Sequence, residues 1–222
     1  MAIRGVIGVV AVGLALVLGQ QLMAQSAGSQ MADFQLDQQP VYTQSVLNGE
    51  ADVLNATPAN DTVKIVEFGD YSCGYCQSFN QEVKPNILSN YVETGQAEFY
   101  FINFDILGPD STKAALADEC VLREDPENYW DFHDALFENQ GSSSGWVTDS
   151  LISDLADQNT NASGEEIVSC VNSQETSDAA SSDKRIALDN ELSGTPALFV
   201  NGEQVSSPNS WSVVQAAIEE EL

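Results

Sequence analysis

The spacing of apolar positions changes several times along the chain, and each change marks an element. Residues 63–68, V-K-I-V-E-F, read as a buried strand. From residue 79 the period is helical: Phe79, Val83, Ile87 and Tyr91 recur every four positions, with Leu88 beside them, as one core-facing stripe. Pro85 falls inside that stripe and is expected to kink the helix. Residues 98–104, E-F-Y-F-I-N-F, are too aromatic and too short for a helix and predict a second strand. At Gly108-Pro109-Asp110 the pattern turns helical and stays so to residue 190. Ala114, Ala117 and Val121 form one stripe; Tyr129, Trp130, His133, Leu136 and Phe137 a second; Leu151, Ile152 and Leu155 a third. Residues 141–145, G-S-S-S-G, read as a loop, and Ser163 with Glu166 as a capping box. A helical stretch of this length without a strand reads as an insertion, here 109–190. Strand character returns in residues 197–200 and 203–205, and Asn201-Gly202 between them predicts a type I′ hairpin. Pro196 belongs at the strand start because it cannot donate to a ladder, and its peptide bond is a candidate for cis. A closing helix, capped near Asn209 or Ser210, would bury Trp211, Val214, Ile218 and Leu222.

The N-terminal sequence has a different character. One arginine precedes an uncharged apolar run over residues 5–19, which is signal-peptide length and short for a spanning helix. Residues 1–24 are therefore expected to be a signal peptide or a membrane anchor, and either exports the rest. Residues 25–60, rich in Gln, Ser, Asn and Ala, read as a flexible linker with room for a short strand around 40–46. Residues 61–222 then form the folded domain. Sequons at Asn55, Asn60 and Asn161 are possible glycan acceptors in an exported chain, though such tripeptides also arise by chance.

Composition narrows the function. The 222 residues carry 34 Asp and Glu against 7 Lys and Arg, a formal net charge of −27. Nucleic acid is excluded as a partner, because phosphate binding needs a basic surface. The 43% hydrophobic content and the clear periodicity argue against disorder. Many carboxylates with few lysines fit a protein working in high salt, where screening removes most self-repulsion; a halophilic source is expected.

The candidate chemistry lies at Cys73-Gly74-Tyr75-Cys76, between the first strand and its helix. This order places Cys73 at a helix N-terminus, where unpaired N–H groups and the dipole stabilise a thiolate. Cys76, about one turn on, can attack a mixed disulfide at Cys73 and release it. The competing reading is half of a zinc site, but Cys120, Cys170 and His133 offer no second ligand pair. Glu67 sits in the strand six residues before Cys73. If buried, it would bind a proton unusually tightly and serve Cys76; if solvent-facing, it has no role. His133 reads as a packing or surface histidine on an aromatic helix face. Cys120 and Cys170 are most simply a structural disulfide in an oxidising compartment, with buried free thiols or a second redox pair as the alternatives.

Together these segments resemble the exported DsbA-like thiol:disulfide oxidoreductases of the thioredoxin superfamily. The carriers are E-F-G-D-Y-S-C-G-Y-C, the helix ending V-K-P, L-G-P-D-S-T-K-A-A-L-A-D-E-C, Y-W-D-F-H-D-A-L-F-E-N-Q and S-G-T-P-A-L-F-V-N-G. The resemblance implies an α/β thioredoxin fold with a helical insertion domain and no cofactor or metal. It implies that Cys73 is the exposed nucleophile, Cys76 the resolving cysteine and Glu67 the buried acid below them. Pro196 matches the cis-proline facing the dithiol. Thr195 before it, with Gly74 and Tyr75 between the cysteines, would meet substrate. It also implies a Cys120–Cys170 disulfide, exported cysteine-containing substrates and a membrane redox partner. The chain departs from DsbA proper, which has Pro-His between its cysteines. Gly74-Tyr75 and the threonine before the proline look like the isomerase DsbC. A reductase or an isomerase is thus an alternative, and a cysteine-based metal-delivery protein a more distant one. No N-terminal dimerisation domain is seen, so a monomer is expected.

Overall fold

The computed structural model describes residues 34, 36, 39–42 and 62–222. Residues 1–24, expected to be a leader or anchor, lie outside the described residues, as do Asn55 and Asn60. Among the described residues no helix is long and apolar enough to cross a membrane.

Among the described residues five strands form one mixed sheet: β1 Val41–Tyr42, β2 Val63–Gly69, β3 Ala97–Asn103, β4 Ala197–Val200 and β5 Glu203–Gln204. The order is β1-β3-β2-β4-β5. Only β2 and β3 run parallel; β1, β4 and β5 pair antiparallel. The two central strands are buried almost throughout, which is why they read as near-continuous apolar runs. Alternation along them divides the core. Ile65, Phe99, Phe101, Leu198 and Val200 face one cluster with most of the helices; Val66, Phe68, Tyr100, Ile102 and Phe199 face another. Glu67 shares parity with Val63 and Ile65, so it points to the helix-covered face.

The helix after β2 is one irregular rod. Helix α1, Gly74–Ser78, passes through a π turn at Phe79–Val83 into α2, Lys84–Ile87, and a second π turn at Leu88–Val92. Pro85 sits at the start of α2, directly after the first π turn, so the N–H that it lacks falls at a helix N-terminus. The insertion follows as α3 Pro109–Glu124, a 3₁₀ turn at Pro126–Asn128, α4 Tyr129–Glu138, α5 Asp149–Asn159, α6 Gly164–Ser173 and α7 Ser177–Asp189. The capping box forms as read: Ser163 accepts from the Glu166 N–H and the Glu166 carboxylate accepts in return. The hairpin turn also forms, with φ of 46° at Asn201 and 91° at Gly202. Helix α8, Trp211–Glu221, starts at Ser210 and buries Val214 and Ile218.

Two expectations need correction. Residues 25–60 are not a linker throughout. Phe34 is fully buried, in edge contact with Phe68 and Phe199, and β1 adds an edge to β3. Gln39 donates to Asp183 of α7. The short strand falls within the 40–46 range that the sequence allowed, whereas the polar composition hid the aromatic anchor. Leu222 is not on the buried stripe: it is 56% exposed, because α8 ends at Glu221 and the last residue extends beyond the core.

Candidate active site

The dithiol sits where β2 turns into α1. Asp70 builds that turn: its carboxylate accepts from the N–H groups of Ser72, Ile106 and Leu107, and its carbonyl accepts from the Cys73 N–H. Cys73 is the N-cap of α1, with extended backbone (φ −86°, ψ 114°). Its Sγ accepts from the Cys76 N–H at 3.4 Å and donates to the Thr195 carbonyl at 3.4 Å. The Thr195–Pro196 peptide bond is cis. Both cysteines are free thiols.

Cys73 is buried rather than exposed: 6% of its surface is open, and Cys76 has none. The cap geometry is the reason, since it folds Sγ back against the Cys76 N–H and beneath the Thr195 carbonyl. The exposed groups are its neighbours. Gly74 faces solvent, Tyr75 is 72% exposed, and Thr195 and Pro196 are half-buried. A cavity of about 430 Å³ opens beside the cis-proline, lined by Asn190, Glu191, Ser193, Gly194, Pro196 and Gln204 among others.

The two thiols are electrostatically unlike. The Cys73 thiol is lowered to about 6, first by the hydrogen bond from the Cys76 side chain, with Thr195 and the α1 N–H groups adding to it against its burial. The Cys76 thiol is pushed far up, chiefly by burial, then by its hydrogen bond to Cys73 and by the charges of Glu67 and Cys73. Glu67 is fully buried, and neither carboxyl oxygen has a hydrogen-bond partner among the described residues. Burial raises its carboxyl to about 8, while Lys84 pulls the other way.

The insertion holds the active-site turn from several sides, which the sequence did not reveal. Gln140 Nε2 donates to the carbonyls of Tyr71 and Cys73 at 2.5 and 3.2 Å. Gln77 donates to the Phe137 carbonyl, and Trp146 Nε1 to Ser72 Oγ. His133 is the fully buried packing residue expected, between Phe101, Trp130 and Phe137. It also has polar partners that sequence distance concealed. Tyr71 Oη donates to Asp118 at 2.6 Å and lies 2.7 Å from His133 Nδ1. With the Tyr71 proton given to Asp118, His133 donates from Nδ1. Its Nε2 is buried without a hydrogen-bond partner among the described residues, 4.0 Å from Asp134 Oδ1, and burial holds the ring neutral. A readable signal existed for Asp118, which lies four residues after Ala114, on the buried stripe of α3.

Cys120 and Cys170 form a disulfide with Cα atoms 6.1 Å apart, tying α3 to α6. Neither is therefore available as a metal ligand. Among the described residues no cluster of three or more His, Cys, Asp or Glu is arranged to hold a metal ion.

Comparison with known proteins agrees with this architecture. A family model described as thioredoxin matches residues 58–220. Disulfide bond formation protein D of Bacillus subtilis is 34% identical over 161 residues, 72% of this chain and 72% of that protein. A putative protein-disulfide oxidoreductase of Rickettsia typhi is 27% identical over 167 residues, 72% of this chain and 59% of that one. Among solved structures, oxidised BdbD from Bacillus subtilis superposes with a TM-score of 0.75 at 30% identity, covering 84% of this chain and 94% of that one. Chlamydia trachomatis DsbA shares the fold, with a TM-score of 0.67 at 22% identity over 75% of this chain and 91% of that one. The chain belongs to the thioredoxin superfamily, as a DsbA-like thiol:disulfide oxidoreductase.

Proposed function

We propose that this protein works outside the cytoplasm and exchanges disulfides with cysteines of exported proteins through Cys73 and Cys76. The observation that carries this reading is the asymmetry of the two thiols. Cys73 is held close to a thiolate at neutral pH at a helix start, while Cys76 keeps its proton. In the oxidising direction, a substrate thiolate attacks Cys73 Sγ of the Cys73–Cys76 disulfide. Cys76 leaves and takes a proton from Glu67. A second substrate thiolate then attacks the substrate sulfur of the mixed disulfide, and Cys73 leaves as the stabilised thiolate. The two electrons lost by the substrate thiols end on the enzyme dithiol, and a membrane redox partner would remove them.

Gly74, Tyr75, Thr195 and Pro196 form the open side from which a substrate chain would approach. The N-terminal apolar run supports export, as a cleaved leader or an anchor. The reductase and isomerase alternatives retain a specific support. No charged side chain lies between the cysteines, and the thiolate is stabilised by hydrogen bonds alone. The test has two parts. A Cys76→Ser variant is expected to accumulate mixed disulfides with exported proteins, seen as reducible high-mass bands, and a Cys73→Ser variant to give none. Bands that persist in Cys73→Ser would overturn the assignment. Glutathione equilibration of the wild-type dithiol then sorts the direction: a potential near about −120 mV marks an oxidase and one near about −270 mV a reductase.

A further inference from the structure

Three ionisable groups lie in series from the sheet to the surface, each on a different element. Glu67 on β2 is fully buried, and neither of its oxygens has a hydrogen-bond partner among the described residues. Lys84 on α2 has a side chain only 2% exposed. Asp134 on α4, in the insertion, has a side chain 41% exposed and meets the Lys84 ammonium at 2.5 Å. Asn80 Nδ2 holds the same Asp134 oxygen at 2.8 Å, and the ammonium lies 4.7 Å from the Trp130 ring. A single cation thus stands near two carboxylates, and it is bonded to the outer one.

We propose that Asp134 is a positioning residue for the proton on Glu67: by holding Lys84 at the insertion, it limits how far that ammonium stabilises the Glu67 carboxylate, and so governs when Glu67 exchanges a proton with Cys76. This rests on the reading of Glu67 as the proton partner of Cys76.

The physical argument is competition for one charge in a dry site. An ion pair with hydrogen bonds on both partners and some access to water outweighs one that would bury both charges fully. The partially hydrated carboxylate therefore takes the ammonium and stays ionised, and the dry one keeps its proton. The two carboxyls shift in opposite directions as this requires. Asp134 is lowered by Lys84 and by its hydrogen bonds from Lys84 and Asn80, against its own desolvation, while Glu67 is raised by burial and further by the Asp134 charge. The other groups facing Glu67 are few. Cys73 and Cys76 approach from α1, and the strand neighbours in register, Phe101 and Leu198, are apolar. From α4, His133 is neutral, its ring lowered by burial and then by Lys84. Asp131, also on α4, acts on Asp134 and Lys84 from an exposed position.

The step controlled is resolution of a mixed disulfide. The Cys76 thiol passes its proton to Glu67, and its sulfur attacks Cys73 Sγ. The Cys73–Cys76 bond forms, the bond to the substrate sulfur breaks, and the substrate leaves as a thiolate carrying the electron pair. Glu67 can take that proton only when ionised, so the rate should rise with pH through the Glu67 titration.

The experiment mixes reduced protein with glutathione disulfide, acid-quenches it, and follows decay of the Cys73–glutathione adduct by intact mass across pH 5–10. Asp134→Asn is expected to lower the midpoint of the rising limb by on the order of one pH unit, since it releases Lys84 toward Glu67. Lys84→Met is expected to raise it by a similar amount. Opposite shifts are a result that general loosening of the fold does not give. An unchanged midpoint in Asp134→Asn, or shifts of the same sign in both variants, would overturn the proposal. Glu67→Gln separates the two readings. Loss of the limb in that variant with no effect of Asp134→Asn sinks the proposal alone, whereas a limb that survives in Glu67→Gln sinks the role of Glu67 and the proposal with it.

Discussion

At the scale of single residues, the site turns on how one sulfur is served by its surroundings. The groups that lower the Cys73 thiol are the Cys76 thiol, Thr195 and the first N–H groups of α1. A thiolate held by donors that exist only in the folded chain must also stabilise that fold. The folded Cys73 titrates near 6, below the ordinary cysteine value of about 8.5. A group whose folded value is depressed adds stability above its unfolded value and loses it as pH falls through the folded one. Thiolate absorbance of the reduced protein should therefore rise with a midpoint near pH 6. The stability of reduced wild type relative to Cys73→Ser should increase between about pH 6 and 8.5, as read by denaturant unfolding at fixed salt. A stability difference flat across that range would mean that the donors do not discriminate thiolate from thiol.

At the scale of elements, the insertion is part of the active site rather than an appendage. Gln140, Gln77 and Trp146 fasten it to the turn that carries Cys73, and Tyr71 reaches back into it to meet Asp118 and His133. The Cys120–Cys170 bond clamps its far side, 50 residues apart in sequence. Replacing both with alanine should cost about 4 kcal/mol by the chain-entropy argument. It should leave the Cys73 midpoint in place, because the clamp joins α3 to α6 and touches no group that faces the sulfur. A midpoint that moves with the clamp would show that strain there reaches the dithiol. These elements differ in how legible they are. Strands β2 and β3 and the stripe from Phe79 to Tyr91 follow from periodicity, because burial on a sheet or a helix face imposes a period. The Cys73 cap follows from the strand–turn–helix order. The contacts of Gln140 to Tyr71 and of Lys84 to Asp134 join positions 69 and 50 residues apart. Nothing periodic marks such pairs, since they depend on how two elements dock. Phe34 was hidden for the related reason that one aromatic in a polar stretch carries no pattern at all.

At the scale of the whole molecule, charge is the dominant fact, and its consequences follow from where the few cations are. Of the 7 lysines and arginines, Lys64, Lys84, Lys113, Arg123 and Lys184 are in ion pairs with carboxylates. The 34 acidic residues therefore face one another with little internal compensation. Surface repulsion of this kind is long-ranged in dilute buffer and is screened beyond about 10 Å at 0.1 M salt and about 3 Å at 1 M. Ion pairs with one buried partner, such as Lys84–Asp134, are screened much less. Salt should then remove the repulsion faster than it weakens the pairs that count. The melting temperature is expected to rise steeply between 0.1 and 2 M potassium chloride, and chloride rather than sulfate is the informative anion because it adds little salting-out. Charge reversal of several exposed carboxylates, Glu219, Glu220 and Glu221 on α8 among them, to lysine should raise the melting temperature at low salt and flatten the salt response. If salt instead lowers the melting temperature, net repulsion is not what limits this fold, and the acidic surface must be read as a matter of solubility alone.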